Sequence, residues 1–183
     1  MSVAMPESPI APSLKRFFDR LVRRSLEDLR MGGADPVADY LAGLLARFAR
    51  TDQLYALHGA AGERLETVVE MLVEVQRSWE FDQPHFNPFR ERDVRQHIGD
   101  FTLFMTGLFR ERVERAASTR YYIVEGKRAY RFVSEHARAS DDRDAPYRRL
   151  AESFESYARV LDYTRRVHFF DHPAHAFFRL SFE

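Results

Sequence analysis

The stretch FTLFMTGLF, residues 101–109, decides the fold. It carries no charge, in a chain where 31% of residues are Asp, Glu, Lys or Arg. A helix that is apolar on every side has no face for water and belongs inside. The segment is therefore expected to form the centre of a helical bundle. It continues a helix that opens at Asn87-Pro88, a capping residue followed by proline at the first helical position, and runs toward Arg115. The first half, Arg90 to Arg95, is highly charged. Gly99 and Gly107 lie within this helix. Glycine costs about 1 kcal/mol against alanine in a helix interior, so each is expected to admit a close neighbour or to mark a break.

Working outward, five further helices follow from apolar residues at helical spacing. Ser13 caps the first, whose stripe is Leu14, Phe17, Phe18, Leu21, Val22, Ser25 and Leu29, with Gly32 and Gly33 as its stop. Asp35-Pro36 opens the second, with Val37, Tyr40, Leu41, Leu44, Leu45 and Phe48 on one side. Residues 51–62 read as a connection. The third has Leu65, Val68, Val69, Leu72, Val73 and Gln76 as its expected inner face, with Glu66, Glu70 and Glu74 beside it. Beyond the central helix, the fifth spans Tyr121 to Arg138 and carries small residues, Gly126, Ala129 and Ala137, along its stripe. Tyr147, Leu150, Ala151, Phe154, Tyr157, Ala158 and Leu161 define the sixth. No stretch alternates as a strand does. The expectation is an all-α single domain of about six helices over residues 13–183, preceded by a loose tail at 1–12 that holds Pro6, Pro9 and Pro12. Five phenylalanines crowd the last fifteen residues, so this C-terminal segment is expected to pack across the bundle or a second subunit.

Composition narrows function by exclusion. The 183 residues contain no cysteine, which removes disulfides, thiolate metal sites and a cysteine nucleophile. Lys and Arg number 28 and so do Asp and Glu, and a neutral chain lacks the basic surplus that phosphate neutralisation requires, so no nucleic-acid partner is expected. The uncharged run is far shorter than the roughly 20 residues that cross a bilayer. Met1 to Pro12 has no export signal, so a cytoplasmic protein is expected. Gly-x-Ser-x-Gly and Ser-x-x-Lys are both absent.

Three constellations remain as candidates. His97, Asp100 and Glu125, with Tyr122 beside Glu125, can form an interior ligand-binding site or a structural network in which His97 bonds Asp100 and Glu125 meets an arginine. Facing helices build di-iron sites from such groups, but this chain has no Glu-x-x-His pair. His168, His172 and His175 are spaced as metal ligands on one helix face, although Pro173 interrupts a continuous helix. Tyr121, Tyr122, Tyr130, Phe101, Phe104 and Trp79 can line a small-molecule pocket or simply form core. The glycine-containing turn from His58 to Gly62 is no phosphate cradle, because Glu63 and Glu66 stand where the anion would sit.

The neutrality also conceals an asymmetry. Residues 14–31 hold six basic against three acidic groups, and residues 63–80 hold five acidic against two basic. Faces of opposite sign can meet inside one subunit or across a dimer, and a basic amphipathic helix can also meet a membrane. The resulting functional expectation is a non-enzymatic interaction or small-ligand-binding bundle, self-associating as a homodimer. The alternative is a metal-binding helical enzyme using the histidine and carboxylate groups above. No cofactor is assigned.

Overall fold

The computed structural model describes residues 10–32, 35–59, 61–77, 88–116, 118–139 and 146–168. Across them the chain is all-α, without a strand. The helices are α1 (Ile10–Asp28), α2 (Asp35–Phe48), the single turn α3 (Thr51–Leu54), α4 (Val68–Arg77), α5 (Pro88–Leu108), α6 (Arg110–Ala116), α7 (Thr119–Ala139), α8 (Tyr147–Glu152) and α9 (Phe154–His168). The Phe-rich C-terminal segment lies outside the described residues. No helix among the described residues is long and apolar enough to cross a membrane.

The expected six helices divide further for local reasons. The central helix breaks at Phe109, where the uncharged run ends and the charged residues Arg110 to Arg115 must turn out to water. The sixth breaks at Ser153, whose backbone leaves the helical region (φ −121°, ψ 33°) while its N–H still bonds the Arg149 carbonyl. A short turn, α3, forms inside the connection after α2. Helix α1 begins by Ile10 rather than at Ser13, because Pro12 falls in the first turn, where no backbone donor is needed. It ends before the glycines do their expected work: Arg30 takes the left-handed conformation (φ 54°), and Met31 N–H bonds back to the Leu26 carbonyl at 2.8 Å.

Helix α5 is the axis of the bundle. It packs on α7, α9, α4 and α2, and α1 packs on α2 and α9. Every residue from Phe101 to Leu108 is buried. Two of them are threonines, and their hydroxyls are satisfied within the helix: Thr102 donates to the Ile98 carbonyl and Thr106 to the Thr102 carbonyl, both at 2.7 Å.

The glycines explain how neighbours come so near. A Cβ built on Gly107 would sit 2.6 Å from the Leu161 Cβ of α9, and one on Gly99 would sit 2.7 Å from the Tyr130 ring of α7. From the opposite side, a Cβ on Gly126 of α7 would strike Thr102 and the Phe154 ring at 2.5 Å. Gly99 and Gly107 therefore admit close helices, and neither marks the break in the central helix.

Helix α4 turns differently from the face its apolar residues predict. Val68, Met71 and Val75 point inward with Glu74, while Val69 is 59% and Val73 39% exposed and Gln76 faces solvent. Two local features set this rotation. Thr67 and Glu70 form a reciprocal cap, in which the Thr67 hydroxyl accepts the Glu70 N–H at 3.2 Å and Glu70 accepts the Thr67 N–H at 2.9 Å. Arg90 of α5 then meets Glu74 at 3.4 Å and draws that carboxylate into the interface.

Gly126→Ala is expected to lower the unfolding free energy by about 1–3 kcal/mol through overpacking. Gly43→Ala, whose methyl group meets nothing closer than Lys15 Cε at 3.9 Å, is expected to raise it by about 0.4–1 kcal/mol. Urea unfolding of the two variants measures both signs.

Candidate functional site

The polar centre of the molecule is Asp100, on the buried half of α5 and 4% exposed. Three side chains converge on it. The Tyr40 hydroxyl of α2 donates to Oδ1 at 2.6 Å, and the Tyr130 hydroxyl of α7 donates to the same oxygen at 2.8 Å. Arg47, two turns along α2 from Tyr40, donates from Nη2 to Oδ2 at 2.7 Å. The guanidinium is partly exposed, so the ion pair runs from solvent to core. Tyr147 of α8 stacks edge-on against Tyr40 with centroids 5.4 Å apart and lies 6.2 Å from Tyr130. Gln96, one turn before Asp100, reaches the Tyr40 hydroxyl at 3.4 Å. One carboxylate thereby joins three helices directly, with a fourth packed against its tyrosines.

The electrostatics follow from burial. Burial pushes the Asp100 carboxyl above the usual carboxylate range, while Arg47 and the two phenol donors pull it back. Tyr40 and Tyr130 are pushed well above the usual phenol range, first by burial and then by the Asp100 charge. Both phenols therefore keep their protons and serve as donors. The arrangement occupies Oδ1 twice and Oδ2 once, and it positions helices.

His97 does not join this network. Its Nε2 faces the Leu54 carbonyl at 3.0 Å, and a carbonyl only accepts, so Nε2 carries the proton. Phe48 lies 5.5 Å from the ring and Phe101 stacks on it at 6.5 Å. Burial lowers the imidazole to about 4, with Arg47 adding to the effect against the Leu54 bond. The expected bond from His97 to Asp100 is thus replaced by one to the segment after α2, which pins the end of α3.

Glu125 is buried on α7 and takes Arg128 at 2.7 Å, one turn on. An arginine partner is what the structural alternative predicts for it. Tyr122 lies half-buried, its ring 6.3 Å from both Phe101 and Tyr121. His97, Asp100 and Glu125 therefore each have a different partner and do not converge. Among the described residues no group of three or more His, Asp or Glu is placed to hold a metal ion. His168 ends α9 with its ring 6.2 Å from Tyr163, and its Nε2 is buried without a hydrogen-bond partner among the described residues. His172 and His175 lie outside the described residues, as does Trp79.

The remaining aromatic candidates separate into two groups. Phe104 and Tyr130 are fully buried, Phe104 against Phe48 at 5.2 Å. Tyr122 and Tyr55 are half-buried beside Phe101, at 6.3 and 6.4 Å from its ring, and half-buried Tyr121 lies 6.3 Å from Tyr122. At the turn before α4, Ala61 N–H donates to Glu63 Oε2 at 3.1 Å, so the chain's own carboxylate occupies the position an anion would take.

Sequence reasoning found Asp100 but missed Tyr40 and Arg47 as its partners. A signal was present: residues 40 and 47 are seven apart and so share a helix face, placing a phenol and a cation above one another in the stripe of α2.

No family model, no curated protein and no solved structure matches this chain.

Asp100→Ala is expected to cost about 2–4 kcal/mol, because it leaves the Tyr40 and Tyr130 hydroxyls without their acceptor while the partly exposed Arg47 turns to water. Tyr130→Phe is expected to cost about 1–3 kcal/mol for a lost buried donor. Denaturant unfolding of each variant and of the double variant measures the coupling. His97 supplies a pH dependence. Its folded value near 4 lies below the unfolded value of about 6.5, so protonation favours the unfolded chain. Its full contribution is present above about pH 6.5 and is lost as the pH falls toward 4, by up to about 3 kcal/mol. In His97→Gln that part of the pH profile is expected to flatten.

Proposed function

We propose that this chain is a non-enzymatic helical interaction module that works as a homodimer. The observation that carries the reading is the state of Asp100. This buried acid holds three donors at 2.6–2.8 Å and ties α2, α5 and α7 together. A general acid or base needs an oxygen within reach of a reacting group, and here both oxygens are engaged by the fold itself. The surface offers more to a partner: Val69 and Val73 stand out to solvent on α4, and α1 presents a line of arginines.

A second reading, a small-ligand-binding module, has its own support. Tyr55 and Tyr122 are half-buried beside Phe101, with Tyr121 next to Tyr122, and offer ring faces together with phenol donors, a combination that suits a flat aromatic molecule.

Size-exclusion chromatography with light scattering over a concentration series tests the first reading. Twice the chain mass at the higher concentrations is expected. A particle of one chain mass throughout would sink it and leave the second reading in possession.

A further inference from the structure

The solvent faces of α1 and of the segment that opens α4 carry opposite charge. Along α1, Arg16, Arg20 and Arg24 recur every fourth residue, all exposed and without a carboxylate partner among the described residues. Of the acids on this helix, Asp19 holds Arg23 at 3.0 Å, Asp28 accepts the Tyr163 hydroxyl at 3.1 Å, and Glu27 is exposed. Lys15 is likewise paired, with Asp39 at 2.9 Å. On the other face, Glu66, just before α4, and Val69, Glu70 and Val73 on it are all exposed. Glu70 gives one oxygen to the N–H groups of Glu66 and Thr67. Glu66 has no cation beside it among the described residues.

The two faces do not neutralise each other within the subunit. Helix α1 packs on α2 and α9, whereas α4 packs on α5. Arg16, Arg20 and Arg24 on α1 and Glu66 and Glu70 at the start of α4 therefore offer complementary charge to a second copy. Arginine stems are aliphatic and cover apolar surface while their heads seek charge. The exposed valines are thereby matched as well as the glutamates.

We propose that α1 of one copy lies along α4 of a second copy, with Arg16 and Arg20 over Glu66 and Glu70 and the arginine stems on Val69 and Val73. This rests on the homodimer reading and names its surface. A twofold axis repeats the contact, so each chain uses both faces and none is left open. Exposed ion pairs are weak and screened by salt, so the dimer is expected to loosen as ionic strength rises.

The test reverses charge on each face of the full chain. Arg16→Glu/Arg20→Glu and, separately, Glu66→Arg are each expected to weaken self-association at low salt by about tenfold or more. The two variants mixed together are expected to recover part of the lost association, because one α1–α4 contact in that pair keeps its native charges and the other regains opposite charge between positions 16 and 66, while position 20 still opposes Glu70. Circular dichroism and melting curves establish that both variants fold, and Glu66→Gln provides a milder lesion with a smaller expected loss. A dimer indifferent to all of these changes would overturn the interface while leaving self-association in place. A native chain that is monomeric at every concentration would overturn both, as would Arg16 and Arg20 mattering only for binding to anionic vesicles or to an acidic peptide.

Discussion

A carboxylate in the middle of a helical bundle must be met by donors from the helices around it, and Asp100 sets that requirement for this molecule. An uncompensated buried charge costs several kcal/mol. Tyr40 and Arg47 of α2 and Tyr130 of α7 meet it, at 2.6, 2.7 and 2.8 Å. Hydrogen bonds are directional, whereas apolar packing alone tolerates rotation and sliding. The three donors therefore fix the register of α2 and α7 on α5 in a way that leucines and valines at the same places would not. Arg47 is partly exposed and keeps part of its hydration, which reduces the desolvation cost of the pair.

The close approach that this register demands depends on missing side chains. Gly99 lets the Tyr130 ring lie against α5, and Tyr130 is the residue whose hydroxyl then reaches Asp100. Gly126 receives Thr102 and Phe154, and Gly107 receives Leu161. The glycines cost helix propensity but allow α7 and α9 to seat against the central helix. The polar network and the small residues are thus two parts of one packing solution.

The other polar groups of the interior follow the same logic in smaller units. His97 stays neutral and ties α5 to the Leu54 carbonyl. Thr102 and Thr106 bond within their own helix, and the Ser25 and Thr164 hydroxyls meet at 2.8 Å between α1 and α9.

The all-α class, the central burial of residues 101–108 and the approximate position of the larger helices are legible in the chain before it folds. These are properties of periodicity and local charge, which a helix carries wherever it is placed. Asp100 and Glu125 were legible as interior acids because each sits in a run of apolar neighbours, and an arginine partner for Glu125 could be anticipated. Tertiary structure alone decided who pairs with whom. His97 and Asp100 are three residues apart yet face different neighbours, and Tyr40 reaches Asp100 across sixty positions. It also decided the rotation of α4, where a buried Glu74 displaced two valines to the surface. Apolar spacing says that a helix has an inside; which residues form it depends on the cations and carbonyls that other helices bring, and those distances exist only after the chain has folded.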